Sequence, residues 1–400
     1  MKKTVCLILS VFLLLVPLPA LATETASVYP YDVAISEYWL EPAAAVYKSN
    51  GDAKALLLME YSTGRVLFAE NETEHLPIAS VTKVISTLLV VEAIDSGRIT
   101  LQDVVTVSEY AASMGGSQVF LEAGEQMSVE DLLKSLVVVS ANDATVALGE
   151  YICGSEESFV QAMNDRAREL GCENSNFVNT NGLPAENHYS CALDVAIITR
   201  ELMKHEMIFD YTGIWMDTIR NGSFGLANTN KLIRFYKGAT GMKTGFTGEA
   251  KYCLSGTAKR DGMQLIAVVL GAETSDKRFA AAKGLLDYGF ANYSVVTPQA
   301  PELEPIAVTR GVKSSAALYS DPISLLTEKG IGGEIETKCH VSESVAAPIS
   351  EGTEVGYVAF CRDGEEIART PVRVSESVAE VSYFSLLGEI FKSIFFKSSH

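Results

Sequence analysis

Hydrophobic and polar positions alternate along this chain with a period that changes from segment to segment, and each change marks a predicted element. An unbroken apolar run, Val5 to Val16, follows Lys2 and Lys3 and leads to the small-residue end Ala20-Leu21-Ala22. Basic, apolar and small segments in that order predict a signal peptide over residues 1–22, too short before its prolines to span a bilayer, and so an exported protein. Residues 23–50 hold no sustained period and read as an irregular lead-in. Ala55 to Met59 and Arg65 to Ala69 then flank Ser62-Thr63-Gly64, the pattern of a β-hairpin. Val81, Val84, Ile85, Leu88, Leu89, Val91 and Ala93 recur at helical spacing, predicting a helix from Val81 to Ile94 that ends at Ser96-Gly97. Helical patterning continues over residues 98–200. Ser128 ahead of Glu130 and Asp131 caps one helix, Ser155 caps another, and Asp194 to His205 forms a third.

From about Met242 the period shortens. Tyr252 to Ala258 and Met263 to Leu270 surround Arg260-Asp261-Gly262, a hairpin signal, and a helix follows from Ser275 to Tyr288. Strands, then helices, then strands and a closing helix predict an α+β fold, an antiparallel sheet flanked by helices. Pro298, Pro301 and Pro305 lie among glutamates and read as a linker. Beyond them Ile306 to Val374 alternates in short runs, with a turn at Arg362-Asp363-Gly364, as a small all-β, sandwich-like domain does. Phe384, Leu387, Phe391, Ile394 and Phe395 share one face of a terminal helix. That helix is about 17 residues, roughly 25 Å long, and it carries Glu389, Lys392 and Lys397. It suits the membrane surface better than a span, the alternative being a helix packed on the β domain. The predicted organisation is residues 1–22 signal peptide, 23–295 α+β domain, 296–378 β domain and 379–400 amphipathic membrane-associating helix.

Composition narrows the function. The 400 residues carry a net charge of −18, with no basic stripe to replace phosphate counterions, which excludes nucleic acid as a partner. Cys153, Cys172, Cys191, Cys253, Cys339 and Cys361 follow the signal peptide; export permits disulfides, but no spacing dictates a pairing or a zinc site. None of His75, His188, His205, His340 and His400 sits in a triad motif, and His188 reads as structural. No P-loop or dinucleotide fingerprint occurs, and no cofactor or metal is expected.

Ser80 and Lys83 form an S-x-x-K at the predicted start of a helix. The positive end of the helix faces the serine oxygen, and the lysine lies on the same helical face. An amine interrupting an apolar helix is costly to bury without a use. A capping serine beside a solvated lysine would give the same four letters. Two further stretches carry matching chemistry. Ser140-Ala141-Asn142 follows a buried run and offers a hydroxyl and an amide to one cavity, unless it merely caps a helix. Lys243-Thr244-Gly245 offers a fixed cation, a hydroxyl and a close backbone approach, unless it is a solvated edge strand.

In that order S-V-T-K, S-A-N and K-T-G resemble the three active-site motifs of penicillin-binding proteins and serine β-lactamases. The stretches L-P-I-A-S-V-T-K, N-G-L-P-A-E-N-H-Y-S and G-M-K-T-G-F-T-G-E-A are similar to the low-molecular-mass members that are D-alanyl-D-alanine carboxypeptidases. The resemblance implies a β-lactamase/transpeptidase-like fold, and acyl transfer from a peptidoglycan stem peptide with β-lactams as inhibitors. By the same resemblance Ser80 is the nucleophile, Lys83 its base and Ser140 a proton relay. Asn142 holds the substrate amide, and Lys243, Thr244 and Gly245 the terminal carboxylate, with Arg278 assisting. The backbone N–H groups of Ser80 and Phe246 would form the oxyanion hole. Ala141 and Lys251 stand where the family often has glycine, which bears on substrate preference more than on activity. A β-lactamase is disfavoured because no E-x-x-L-N follows Asn142. An endopeptidase or a catalytically idle wall scaffold remains an alternative, and the membrane surface is the expected partner of the tail.

Overall fold

A computed structural model describes residues 47–299, 301–330 and 334–382. The predicted signal peptide and the terminal helical face of Phe384 to Phe395 lie outside the described residues. The framework is a five-stranded antiparallel sheet. Its strands are β1 (Ala55–Glu60), β2 (Val66–Glu70), β3 (Ala239–Thr247), β4 (Lys251–Arg260) and β5 (Met263–Ala272), in the spatial order β2-β1-β5-β4-β3. Every residue of β1 and β5 is buried, because both faces of the sheet are covered. Leu57, Met59, Ile266 and Val268 point into one core, and their neighbours Leu56, Leu58, Leu265 and Val269 into another. Period-two alternation thus divides the strands between two apolar layers, which is why they read as unbroken hydrophobic runs.

Helices α1 (Lys83–Asp95), α2 (Val129–Val138), α3 (Asn142–Cys153), α4 (Glu156–Glu169) and α5 (Ala192–Leu202) build the first layer. Helix α6 (Ser275–Asn292) packs Phe279, Ala282, Leu285 and Leu286 on the opposite face. The Ser128 and Ser155 side chains accept the N–H of Asp131 and Ser158, the predicted caps of α2 and α4. Three boundaries differ from the periodicity. A 3-10 turn, Ala79–Thr82, precedes α1, so the α-helix proper begins at Lys83 rather than Val81. Helix α5 starts at Ala192 because the Cys191 sulfur accepts the Asp194 N–H. Helix α6 runs on to Asn292, its Phe290 still buried.

Past α6, Tyr293–Val296 pairs antiparallel with Leu325–Glu328. The remaining strands form a three-stranded and a four-stranded sheet around Val308, Val355, Val358, Phe360, Val372 and Val374. The turn at Asp363 and Gly364 joins the two longest strands, Glu354–Arg362 and Glu365–Val374, both turn residues having positive φ. All six cysteines after the signal peptide are free; Cys172, Cys191, Cys253 and Cys361 are buried as small apolar groups and Cys339 is exposed.

Candidate active site

Ser80 lies in the 3-10 turn that opens α1, directly after Ala79, which holds φ +49. Positive φ at a residue with a side chain is a strained conformation that only its surroundings can enforce. Lys83 is fully buried, and its Nζ reaches three oxygens: Asn142 Oδ1 at 2.6 Å, the Asn181 carbonyl at 2.7 Å and Ser80 Oγ at 3.1 Å. A neutral amine has two N–H donors and one lone pair. All three contacts are within donating reach of an ammonium; once the amine is neutral, Asn142 and Asn181 can take its two N–H groups and its lone pair is left for the Ser80 hydroxyl. Burial drives the Lys83 ammonium well below its ordinary pKa, Lys243 adds to this, and Asp143 opposes it.

Ser140 sits between α2 and α3 at φ +65, buried, and its Oγ has no hydrogen-bond partner among the described residues. Its hydroxyl is therefore free to serve a guest. Asn142 opens α3; besides meeting Lys83, its Nδ2 donates to the Gly115 carbonyl at 2.6 Å and its N–H to that of Ser117 at 2.7 Å.

Strand β3 forms the opposite wall. Lys243 is 4 % exposed, not solvated, and its Nζ donates to the Thr244 carbonyl at 2.9 Å. Burial, then the Arg278 charge, lowers Lys243 to about 7. Thr244 Oγ1 meets Thr229 Oγ1 at 2.6 Å. Gly245 is where the strand touches the nucleophile turn: a Cβ there would stand 2.7 Å from the Ile78 carbonyl oxygen and 3.0 Å from the Ser80 nitrogen. Phe246 is exposed, with its ring 4.4 Å from that of Tyr252. Arg278 is buried behind the strand, donating to the carbonyls of Gly245 and Cys253 at 3.2 Å each, and burial lowers it to about 10.

Three contributors were given no role by the motifs. Asn181, which opens the N-G-L-P-A-E-N-H-Y-S stretch, acts through a main-chain oxygen, Thr229 through a loop before β3, and Asp143 through a buried carboxylate directly after Asn142. His188 is structural. The Val178 N–H donates to its Nδ1 at 3.1 Å, so Nε2 carries the proton and donates to Thr82 Oγ1 at 2.8 Å. Burial lowers its pKa to about 4, keeping it neutral. Among the described residues no cluster of metal-ligating side chains occurs.

Residues 43–274 match the family described as D-alanyl-D-alanine carboxypeptidase, and residues 302–380 the C-terminal domain of penicillin-binding protein 5. The chain is 43% identical over 343 residues to the D-alanyl-D-alanine carboxypeptidase DacF of Bacillus subtilis, covering 84% of this chain and 88% of that one. It is 35% identical over 344 residues to DacC of Escherichia coli, covering 83% and 86%. Among solved structures, penicillin-binding protein 5 from Haemophilus influenzae superposes with a TM-score of 0.72 at 32% identity, covering 84% of this chain and all 100% of that one. Penicillin-binding protein D2 from Listeria monocytogenes, in its ampicillin-bound form, gives 0.56 at 30% identity, with 61% and 99% covered.

Proposed function

Because the chain belongs to the D-alanyl-D-alanine carboxypeptidase family, we propose that its reaction runs through an acyl-enzyme on Ser80, with neutral Lys83 as the base. The activity itself is that of a serine-type D-alanyl-D-alanine carboxypeptidase, a penicillin-binding protein of peptidoglycan metabolism. Ser80 Oγ attacks the carbonyl of the penultimate D-alanine as Lys83 takes its proton. Negative charge on the carbonyl oxygen falls to the N–H groups of Ser80 and Phe246, which Gly245 allows to approach one another. Ser140 passes a proton to the leaving amine, the terminal D-alanine departs, and water hydrolyses the ester. Asn142 holds the acyl-donor amide. Lys243 and Thr244 bind the terminal carboxylate, whose charge raises Lys243 again on binding. Arg278 holds the strand that carries them. A β-lactam presents the same carbonyl and carboxylate and is taken by the same serine.

The observation that supports this most strongly is the Lys83 contact set: a fully buried amine within hydrogen-bond reach of Ser80 Oγ, with the Asn142 side-chain oxygen and the Asn181 carbonyl there to hold its N–H groups. The test is release of free D-alanine from diacetyl-L-lysyl-D-alanyl-D-alanine by the full-length chain and by Ser80→Ala, with fluorescent penicillin labelling in parallel. Release and labelling by the wild type alone support the reading. Release by Ser80→Ala at the wild-type rate sinks it.

The working location is extracytoplasmic, with residues 1–22 as the export signal and residues 379–400 holding the chain to the membrane surface. Residues 23–295 would then act at a distance set by residues 296–378. No helix among the described residues is long and apolar enough to cross a membrane. Co-sedimentation with anionic vesicles, lost on truncation after residue 378, is the expected result; undiminished binding by the truncated protein would remove the anchor.

A further inference from the structure

The stretch from Gly115 to Leu121 forms a strap beside the site, and its fastenings are unusually complete. Asp143, fully buried, accepts the N–H of Val119 at 3.1 Å, of Leu121 at 3.0 Å and of Ala144 at 2.9 Å. Its neighbour Asn142 holds the carbonyls of Gly115 and Ser117. From the other side Arg220 donates to the carbonyls of Val119 at 2.8 Å and Phe120 at 3.1 Å, and pairs with Glu125 at 2.8 Å. Val119 is thus gripped at both ends of its backbone, by a carboxylate and by a guanidinium. The same carboxylate bears on the base. The charges that face Lys83 are Lys243 from β3 and Asp143 from α3. His188, from the segment before α5, is neutral, and Glu156 of α4 is engaged by Thr180.

We propose that Asp143 is a positioning residue for acylation: it fastens the 115–121 strap over Asn142, which in turn holds Lys83. This deepens, and rests on, the assignment of Ser80 and Lys83 above. Burial and Lys243 both push the amine toward neutrality, and a base weakened too far accepts a proton poorly. Asp143 restrains that drift while tying Asn142, which touches both Lys83 and the strap, into one fixed arrangement.

The experiment measures, on the full-length protein, the pH dependence of acylation by fluorescent penicillin and the KM for diacetyl-L-lysyl-D-alanyl-D-alanine. Asp143→Asn removes the charge that holds protons on Lys83, so the acid limb of acylation moves to lower pH by about one unit. Its amide cannot accept all three N–H groups, so KM rises by about tenfold. Arg220→Ala releases Val119 and Phe120, raising KM while leaving the limb in place. An unmoved or upward-moving limb in Asp143→Asn overturns the proposal, as does an unchanged KM in Arg220→Ala. Should Asp143→Asn not fold, Asp143→Glu keeps the charge and displaces the strap. It must raise KM without moving the limb, and a moved limb overturns the proposal. Wild-type protein that takes no penicillin would instead remove the Ser80 and Lys83 assignment itself.

Discussion

Replacing Gly245 with alanine perturbs the closest approach between the substrate-binding strand and the nucleophile turn. The added Cβ would lie 2.7 Å from the Ile78 carbonyl oxygen and 3.0 Å from the nitrogens of both Ser80 and Val81, against an ordinary contact of 3.4 Å. All three atoms are backbone, so no side chain can swing aside. Strand β3 must retreat by about 0.7 Å, the difference between those distances. That retreat widens the gap between the N–H groups of Ser80 and Phe246, the two proposed oxyanion donors. Losing one such donor, or misplacing it by this order, costs about 100-fold in rate, or roughly 2.7 kcal/mol of transition-state stabilisation. Overpacking at an edge strand costs about 1 to 3 kcal/mol of stability, so the variant should still fold. Gly248→Ala is the control, because a Cβ there meets nothing within 4 Å. The assay is the second-order rate of labelling by fluorescent penicillin, with thermal unfolding of each variant alongside. A folded Gly245→Ala protein that labels within threefold of wild type would refute the reasoning, since the oxyanion donors would then not depend on that contact.

Three other outcomes follow from the same geometry. Peptide hydrolysis, as kcat/KM, should lose activity as pH rises through about 7, because Lys243 sheds the proton that binds the carboxylate, and gain it from the acid side as Lys83 becomes neutral. A basic limb that survives in Lys243→Arg would assign it elsewhere. His188 binds its proton in the unfolded chain near 6.5 but only near 4 when folded, so its contribution is complete above 6.5 and is lost as pH falls from there to about 4. That loss is about 3 kcal/mol, and His188→Gln should close much of its stability gap to wild type between pH 7 and pH 4.5. A gap that stays constant in thermal melts across that range would contradict the buried, neutral assignment. Thr229→Val removes the partner of the Thr244 hydroxyl and should raise KM for peptide more than it lowers kcat; the reverse split would place Thr229 in the chemistry.

The sheet was legible because both its faces are apolar: Ala55 to Met59 and Met263 to Leu270 read as strands and are strands. The hairpin at Arg260-Asp261-Gly262 was equally plain, since Asp261 and Gly262 both take positive φ. The start of α1 was harder. Val81 fits the helical stripe, yet the backbone is still in a 3-10 turn there, and residue spacing does not distinguish the two geometries over a single turn. Cysteine is a rare cap, which hid the beginning of α5. In the site, side chains that act through their own ends were visible in their motifs, whereas Asn181 contributes a main-chain oxygen that no side-chain pattern reports. Lys243 could have been a solvated edge residue. It is buried, and the segment before β3 folds back on the same strand, Thr229 meeting Thr244 and Asn230 Nδ2 donating to the Gly241 carbonyl at 2.8 Å. Arg278, expected to assist at the carboxylate, donates through one guanidinium nitrogen to the carbonyls of Gly245 and Cys253, while its Nε has no partner among the described residues.

The most direct test of the central claim is the acylation rate of Lys83→Arg. Arginine supplies N–H donors for Asn142 and Asn181, but it does not deprotonate in proteins and so offers no lone pair to the Ser80 hydroxyl. With penicillin in excess, intact-mass analysis should show the wild type carrying one penicilloyl group on the peptide that contains Ser80. Lys83→Arg, folded by thermal melt, should remain unmodified over the same time. A Lys83→Arg protein that acquires the adduct on Ser80 at the wild-type rate would contradict a neutral lysine as the base.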